Sequence, residues 1–135
     1  MFLLDTVAVS ELIKRRQNQG FSAWFSAADT GDLFVSVITF GELELGIELQ
    51  RPRLPDFARR LEVWRDGILR TYGERILPVT IDIATLWGRL AESIGHLDAD
   101  GGIAATAIVH DLAVVTRNAR HFEGTGARVV NPFGP

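Results

Sequence analysis

Short apolar runs alternate with longer amphipathic stretches along this chain, and the two patterns read as strands and helices. Residues 2–5 (Phe2-Leu3-Leu4-Asp5) read as a first strand and Phe34-Val35-Ser36-Val37 as a second. Ile76-Leu77 before Pro78 makes a third, Ala113-Val114-Val115-Thr116 a fourth, and Ala127 to Val130 a last one before Asn131-Pro132. Between them, helical spacing puts Val9, Leu12 and Ile13 on one face of a helix from Val7 to Arg16, closed by Gly20. Phe21 to Ala28 gives a second short helix, ended by Thr30-Gly31. Phe40, Leu43 and Ile47 share a face of a helix from Thr39 to Leu49 that stops before Pro52, and Pro55 to Tyr72 is a longer amphipathic helix closed by Gly73. Ile83 to Ile94 and Gly101 to His110 complete the set. With no repeat, low-complexity segment or linker, residues 1–135 read as a single domain. Strands separated by helices imply an α/β fold with a central, mainly parallel sheet covered by helices on both faces.

Composition narrows the chemistry. A chain of 135 residues, 47% hydrophobic, suffices for one core. No segment approaches the ~20 apolar residues of a membrane span, and the start lacks the basic and long apolar stretches of a signal peptide, so a cytoplasmic protein is expected. The absence of cysteine fits a reducing compartment and leaves any metal to oxygen or imidazole ligands. A net charge of −3 argues against gripping nucleic acid by bulk electrostatics. It does not argue against a nuclease, whose metal site is itself acidic until cations fill it.

The ends of the apolar runs carry the candidate chemistry. Asp5 closes the first run, Glu42 follows the second, Asp100 opens the apolar segment Ile103-Ala104-Ala105, and Arg117-Asn118 follow the fourth strand. In an open α/β sheet ligands sit outside the carboxyl ends of the strands, where such groups can converge. Each has an ordinary alternative. Asp5 can cap the helix after it, and Glu42 can be a solvated first-turn glutamate favouring the helix macrodipole, although Gly41 before it leaves room for close approach. Asp98 and Asp100 compete, so that one caps a helix while the other points into a site; Gly101-Gly102 favours Asp100 for the site. Thr116, Arg117 and Asn118 can form a polar turn with Asn118 as cap. His96, His110 and His121 lack zinc spacing and read as surface or packing residues. Trp24, Trp64 and Trp87 read as core or interface residues.

Taken together, three carboxylates in one crevice repel by about 4 kcal/mol per pair at 4 Å and an effective dielectric near 20, and need a cation to stay ionised. Hard oxygen ligands select Mg²⁺ or Mn²⁺. Asn118 adds a neutral amide ligand and Arg117 a cation suited to phosphate. Phosphodiester hydrolysis is the reaction these groups imply.

Those residues also carry a resemblance. Leu3-Leu4-Asp5-Thr6, Ser36-Val37-Ile38-Thr39 through Gly41-Glu42-Leu43, Asp100-Gly101-Gly102-Ile103-Ala104-Ala105-Thr106-Ala107 and Val115-Thr116-Arg117-Asn118 resemble, in order and spacing, the four motifs of the PIN-domain family. Within it the chain is similar to the VapC-type toxins, and from Ile76-Leu77-Pro78 onward to the FitB-like branch. The resemblance implies a compact three-layer α/β/α fold, Mg²⁺- or Mn²⁺-dependent endoribonuclease activity, a cognate antitoxin as inhibitor, and a homodimer. Asp5, Glu42 and Asp100 match the family's three acids and are the expected metal ligands. Asn118 stands where some members carry Asp, His121 where many carry an acid, and Val7 where a polar residue is common, which makes one firmly bound metal the preferred reading. The neutral Asn118 leaves a second class open, a PIN-like domain that binds RNA or a partner without cleaving it. Arg117, with Arg120 after it, is the expected contact to RNA phosphate. The acidic crevice can also accept a basic group of the antitoxin, and a helix carrying Phe57, Leu61 and Trp64 can supply an apolar surface for a partner or a dimer.

Overall fold

The computed structural model describes residues 1–95 and 97–134; His96 therefore lies outside the described residues. Five parallel strands form one sheet in the order β3-β2-β1-β4-β5, with β1 Phe2–Leu4, β2 Leu33–Ser36, β3 Ile76–Leu77, β4 Ala113–Val115 and β5 Val129–Val130. β1 is central. Leu4 pairs with Val35 on one side and with Val115 on the other, so Asp5 leaves the sheet between Ser36 and Thr116. Successive side chains of a strand point to opposite faces, and the core divides accordingly. Leu4, Val35 and Val115 pack with Ala8, Val9, Phe21, Leu43, Ile68 and Tyr72 on one face, whereas Leu3 and Val114 pack with Ile103, Ala104, Ala107 and Phe122 on the other. Burying each of the Val, Leu, Ile and Phe side chains among them contributes roughly 1.5–3 kcal/mol.

The first face is covered by α1 Thr6–Glu11, α2 Gln19–Ala27, α3 Val37–Gln50 and α4 Pro55–Tyr72, and the second by α5 Ile81–Ile94 and α6 Ala99–Val109. Local chemistry explains the helix limits. Pro55 occupies the first turn of α4 and Gly73, at φ +48°, ends it. Thr80 caps α5, and Gly95 ends it in the left-handed region at φ +97°.

Several limits differ from the sequence reading by a residue or two, among them α2, α5 and α6, which each start two residues earlier, and three differences have a clear local cause. α1 stops at Glu11 rather than Arg16, because the Glu11 carboxylate turns inward to accept the backbone N–H of Asn18 at 2.7 Å. Gly20 does not close α1 but belongs to α2, capped by Asn18; the Pro132 carbonyl oxygen lies 2.4 Å from where a Cβ would sit, so only glycine fits. α3 starts at Val37, two residues before the expected Thr39, because Ser36 Oγ accepts the N–H of Ile38 at 3.0 Å. No helix among the described residues is long and apolar enough to cross a membrane.

Candidate active site at the carboxyl edge of the sheet

Asp5 combines the two roles that its position allowed. Its Oδ1 accepts the N–H of Ala8 at 2.8 Å and so caps α1, while the residue is only 2% exposed. Burial, partly offset by hydrogen bonds from the Thr116 hydroxyl and the Ala8 amide and reinforced by the like charges of Asp100 and Glu42, raises its carboxyl from 3.8 to about 6. Thr116 Oγ1 accepts the Asn118 N–H at 2.9 Å, which leaves its own proton for Asp5. Thr116, which the sequence reading placed in the fourth motif without a role of its own, is thus a member of the site.

Glu42 projects from α3 and is exposed. Because α3 begins at Val37, Glu42 lies beyond the first turn, where a helix-dipole role was expected. Thr6 donates its hydroxyl proton to Glu42 Oε1 and, 3.1 Å away, receives that of Thr39. This threonine pair ties α1 to α3 and holds the carboxylate over the end of β1. Open space surrounds Gly41.

Asp98 and Asp100 divide their tasks. Asp98 caps α6 by accepting the Gly101 N–H at 2.8 Å. Asp100, in the first turn, points to His121, whose Nδ1 lies 2.9 Å from Asp100 Oδ2. His121 is the surface residue that the sequence suggested, and it also contacts a candidate metal ligand, a role that its spacing from the other histidines did not reveal. Gly101 and Gly102 serve packing rather than ligand approach, since a Cβ on Gly102 would meet Ile38 Cδ1 at 2.5 Å and the Trp87 ring at 3.0 Å. Trp87 also donates to the Asp98 carbonyl at 2.8 Å.

Asn118 opens a short 3₁₀ turn, Ala119–Phe122, without a side-chain cap bond, so its amide remains half-buried beside Thr116. Arg117 is exposed and lies over the Phe133 ring at 4.6 Å. A hollow of about 340 Å³ is lined by Arg117, Asn118, Arg120, His121 and Asn131. A second, of about 370 Å³, holds Asp98, Asp100, Arg120 and His121. Glu42 instead opens into an apolar groove of about 420 Å³ formed by α1, α3 and α4, with Thr6, Ile13, Leu43, Phe57, Leu61 and Trp64 in its wall. The four predicted groups therefore border one another around the end of β1 without sharing a single cavity.

The donors are hard oxygens with one imidazole, a set suited to Mg²⁺ or Mn²⁺. Among the described residues no three His, Asp or Glu side chains gather closely enough to cage an ion. Each carboxylate is turned to a local partner: Asp5 to Ala8 and Thr116, Glu42 to Thr6, and Asp100 to His121. Mg²⁺ keeps several waters and needs only one or two carboxylates, so Asp5, raised chiefly by its burial and further by the Asp100 and Glu42 charges nearby, fits a site of that kind.

Fold and carboxylate edge together place the molecule in a known class: the chain belongs to the PIN domain family, whose pattern matches residues 2–127. It is 34% identical to the VapC ribonuclease Y4jK of Sinorhizobium fredii, over 100% of this chain and 99% of that protein. It is also 34% identical to the toxin FitB of Neisseria gonorrhoeae, over 98% of this chain and 99% of that one. Among solved structures, FitAcB from Neisseria gonorrhoeae matches with a TM-score of 0.84 at 33% identity, covering 100% of both chains. A toxin-antitoxin complex from Klebsiella pneumoniae matches at 0.72 and 26% identity over 98% of each.

Proposed function

We propose that this protein is a Mg²⁺- or Mn²⁺-dependent endoribonuclease and the toxin of a toxin-antitoxin pair. The observation that carries the proposal is the buried Asp5 carboxylate at the carboxyl end of the central strand, raised to about 6 and coupled electrostatically to Glu42 and Asp100. Full-length likeness to proteins named as a VapC ribonuclease and a FitB toxin supports the reaction class.

Asp5, Glu42 and Asp100 would hold the ion, which when bound polarises a phosphoryl oxygen and lowers the pKa of water. The chain's own residues do the positioning. Thr116 and the Ala8 amide fix Asp5, the Thr6 and Thr39 hydroxyls fix Glu42, and His121 fixes Asp100. Asn118 contributes a neutral oxygen, which limits the charge available and favours one firmly bound ion over two. Arg117, held over Phe133, offers a planar donor fork to substrate phosphate.

The antitoxin occupies the apolar groove between α1, α3 and α4, where a basic side chain meets Glu42 at its rim. A homodimer completes the toxin assembly. The testing experiment compares wild type with Asp5→Asn on single-stranded and structured RNA, with and without a chelator. Cleavage that needs Mg²⁺ or Mn²⁺ and Asp5 is expected. RNA binding without cleavage supports a non-cleaving domain, and cleavage insensitive to chelator or to the substitution sinks the reading.

A further inference from the structure

The connection between α1 and α2 presents three consecutive cations, Lys14, Arg15 and Arg16, all exposed. Adjacent like charges repel, yet this loop is tied down. Glu11, 2% exposed beneath it, accepts the Asn18 N–H at 2.7 Å and lies 2.9 Å from Lys14 Nζ. Asn18 in turn accepts the Phe21 N–H at 2.9 Å and donates to the Phe133 carbonyl at 3.1 Å. Phe133 stacks on Phe21 with ring centroids 4.8 Å apart, and Arg117 lies over that same ring. Loop, carboxyl-terminal segment and Arg117 thus form one joined surface, which continues through the hollow of Arg117, Asn118, Arg120 and His121 to Asp100.

Charge pairing leaves the loop's two arginines free, as it does several others on the surface, and what sets them apart is the joined surface they share with Arg117. Arg51, Arg59, Arg65 and Arg128 each meet a carboxylate. The buried Glu11 takes Lys14, while Arg15 and Arg16 have no ion-pair partner among the described residues. They border an open depression of about 640 Å³ whose remaining walls are Gln17, Gln19 and Ser22. Such a lining offers guanidinium forks and neutral donors but no apolar anchor, which suits a phosphodiester backbone better than a protein segment. The apolar groove suited to a protein lies between α1, α3 and α4 on the other side of this loop, where Lys14 lines it and Arg15 borders Ile13, Phe57 and Leu61, so the loop stands between the two surfaces.

We infer that Arg15 and Arg16, fixed by the Glu11-anchored loop and continued by Arg117, form a track that holds the phosphates of the RNA strand running away from the cutting site. The inference rests on the ribonuclease reading and adds the strand's path to it. Arg15 and Arg16 are positioning residues, since the hollow with Arg117 separates them from the carboxylates. A track of this kind lets an acidic protein grip RNA locally despite its net charge of −3.

The test uses the full chain carrying Asp5→Asn, which removes the ionised carboxylate and keeps a capping side chain, and a labelled single-stranded RNA. Affinity is measured by fluorescence anisotropy over a KCl series. Each phosphate contact on a single strand contributes ~0.7 to the slope of log affinity against log salt. Arg15→Ala combined with Arg16→Ala is expected to weaken binding at low salt and make that slope shallower by ~1.4. Arg117→Ala should do so by ~0.7. Arg89→Ala, on α5 across the sheet, is expected to leave the slope unchanged. If the parent binds but the Arg15/Arg16 double variant keeps the parent's slope, the track is overturned while the ribonuclease reading stands. If wild type does not cleave and the parent does not bind, both fall together. If the double variant keeps the slope but loses a co-expressed antitoxin, the loop serves an acidic protein segment and the track is overturned.

Discussion

His121 Nδ1 lies 2.9 Å from Asp100 Oδ2, joining a 3₁₀ turn after β4 to the first turn of α6 across 21 residues of sequence. The contact lets an imidazole orient a neighbouring carboxylate instead of adding one to the site. Groups that orient a metal ligand typically change metal affinity or activity by roughly 10–100-fold when removed.

His121→Ala is therefore expected to raise the Mg²⁺ or Mn²⁺ concentration needed for half-maximal RNA cleavage by about tenfold. The side chain is 58% exposed, so stability should change by no more than about 0.5 kcal/mol. Cleavage rates across a metal titration, with urea unfolding of both proteins, check this. An unchanged half-saturation point would show that His121 does not act through Asp100.

Asp5→Asn should abolish cleavage yet stabilise the metal-free protein. Its carboxyl is raised by burial from 3.8 to about 6, and that gap corresponds to roughly 3 kcal/mol of cost for ionising it in the folded state. The group's favourable contribution is complete below the unfolded value of 3.8 and is lost as pH rises through about 6. Asparagine caps a helix as well as aspartate does, so the variant is expected to exceed wild type by about 1–3 kcal/mol above pH 6, the gap closing below about pH 4. Denaturant unfolding across that range, with chelator present, measures it. Added Mg²⁺ should stabilise wild type and not the variant; equal stabilisation would remove Asp5 from the proposed metal site.

What could be read from the chain beforehand follows from how local each determinant is. α4 runs from Pro55 to Tyr72 as expected because its limits are written in adjacent residues, Pro55 at the start and Gly73 beyond the end. Asp5 was legible as an anomaly, a charge at the end of a buried strand, and Glu42, Asp100 and Asn118 were legible as groups delivered by neighbouring elements. The start of α3 was not, because the β-branched Val37 and Ile38 suit a strand and only the Ser36 cap turns them into helix. The end of α1 was hidden for a similar reason: a carboxylate that bonds an amide seven residues on has no local signature. The same holds for His121 and for the Thr6–Thr39 pair, whose partners come from distant elements.

Glu11→Ala tests how far the cationic loop depends on the buried carboxylate. The substitution leaves the Asn18 amide without its acceptor and Lys14 without its partner. Burial alone would push the Glu11 carboxyl up, but the Asn18 amide and Lys14 outweigh it and hold the group below the ordinary 4.5. Its stabilising contribution is therefore present above that value and lost as pH falls below it. A loss of about 1–3 kcal/mol at neutral pH is expected from the unsatisfied amide, with faster tryptic cleavage after Lys14, Arg15 or Arg16. A loop that resists trypsin as well in the variant as in wild type would show that Glu11 does not hold it.

Two glycines separate packing from openness, and their alanine variants should move stability in opposite directions. At Gly102 a new Cβ would meet Ile38 Cδ1 at 2.5 Å and the Trp87 ring at 3.0 Å. Ile38 can shift its end atom, but the indole is flat, rigid and held by its bond to the Asp98 carbonyl. Gly102→Ala is therefore expected to cost about 1–3 kcal/mol, and by pushing α5 from α6 it should also displace the Asp98 cap and Asp100 beside it, lowering activity. At Gly41 nothing lies within 4 Å, the position is inside α3, and alanine restores helix propensity. Gly41→Ala should stabilise by about 0.5–1 kcal/mol. Because Gly41 precedes Glu42, a partner or substrate that comes close to that turn would register the added methyl as weaker binding despite the gain in stability. Thermal unfolding with RNA and antitoxin affinity on both variants distinguishes these effects; a Gly41→Ala protein that binds both partners as wild type does would show that the glycine leaves no needed room beside Glu42.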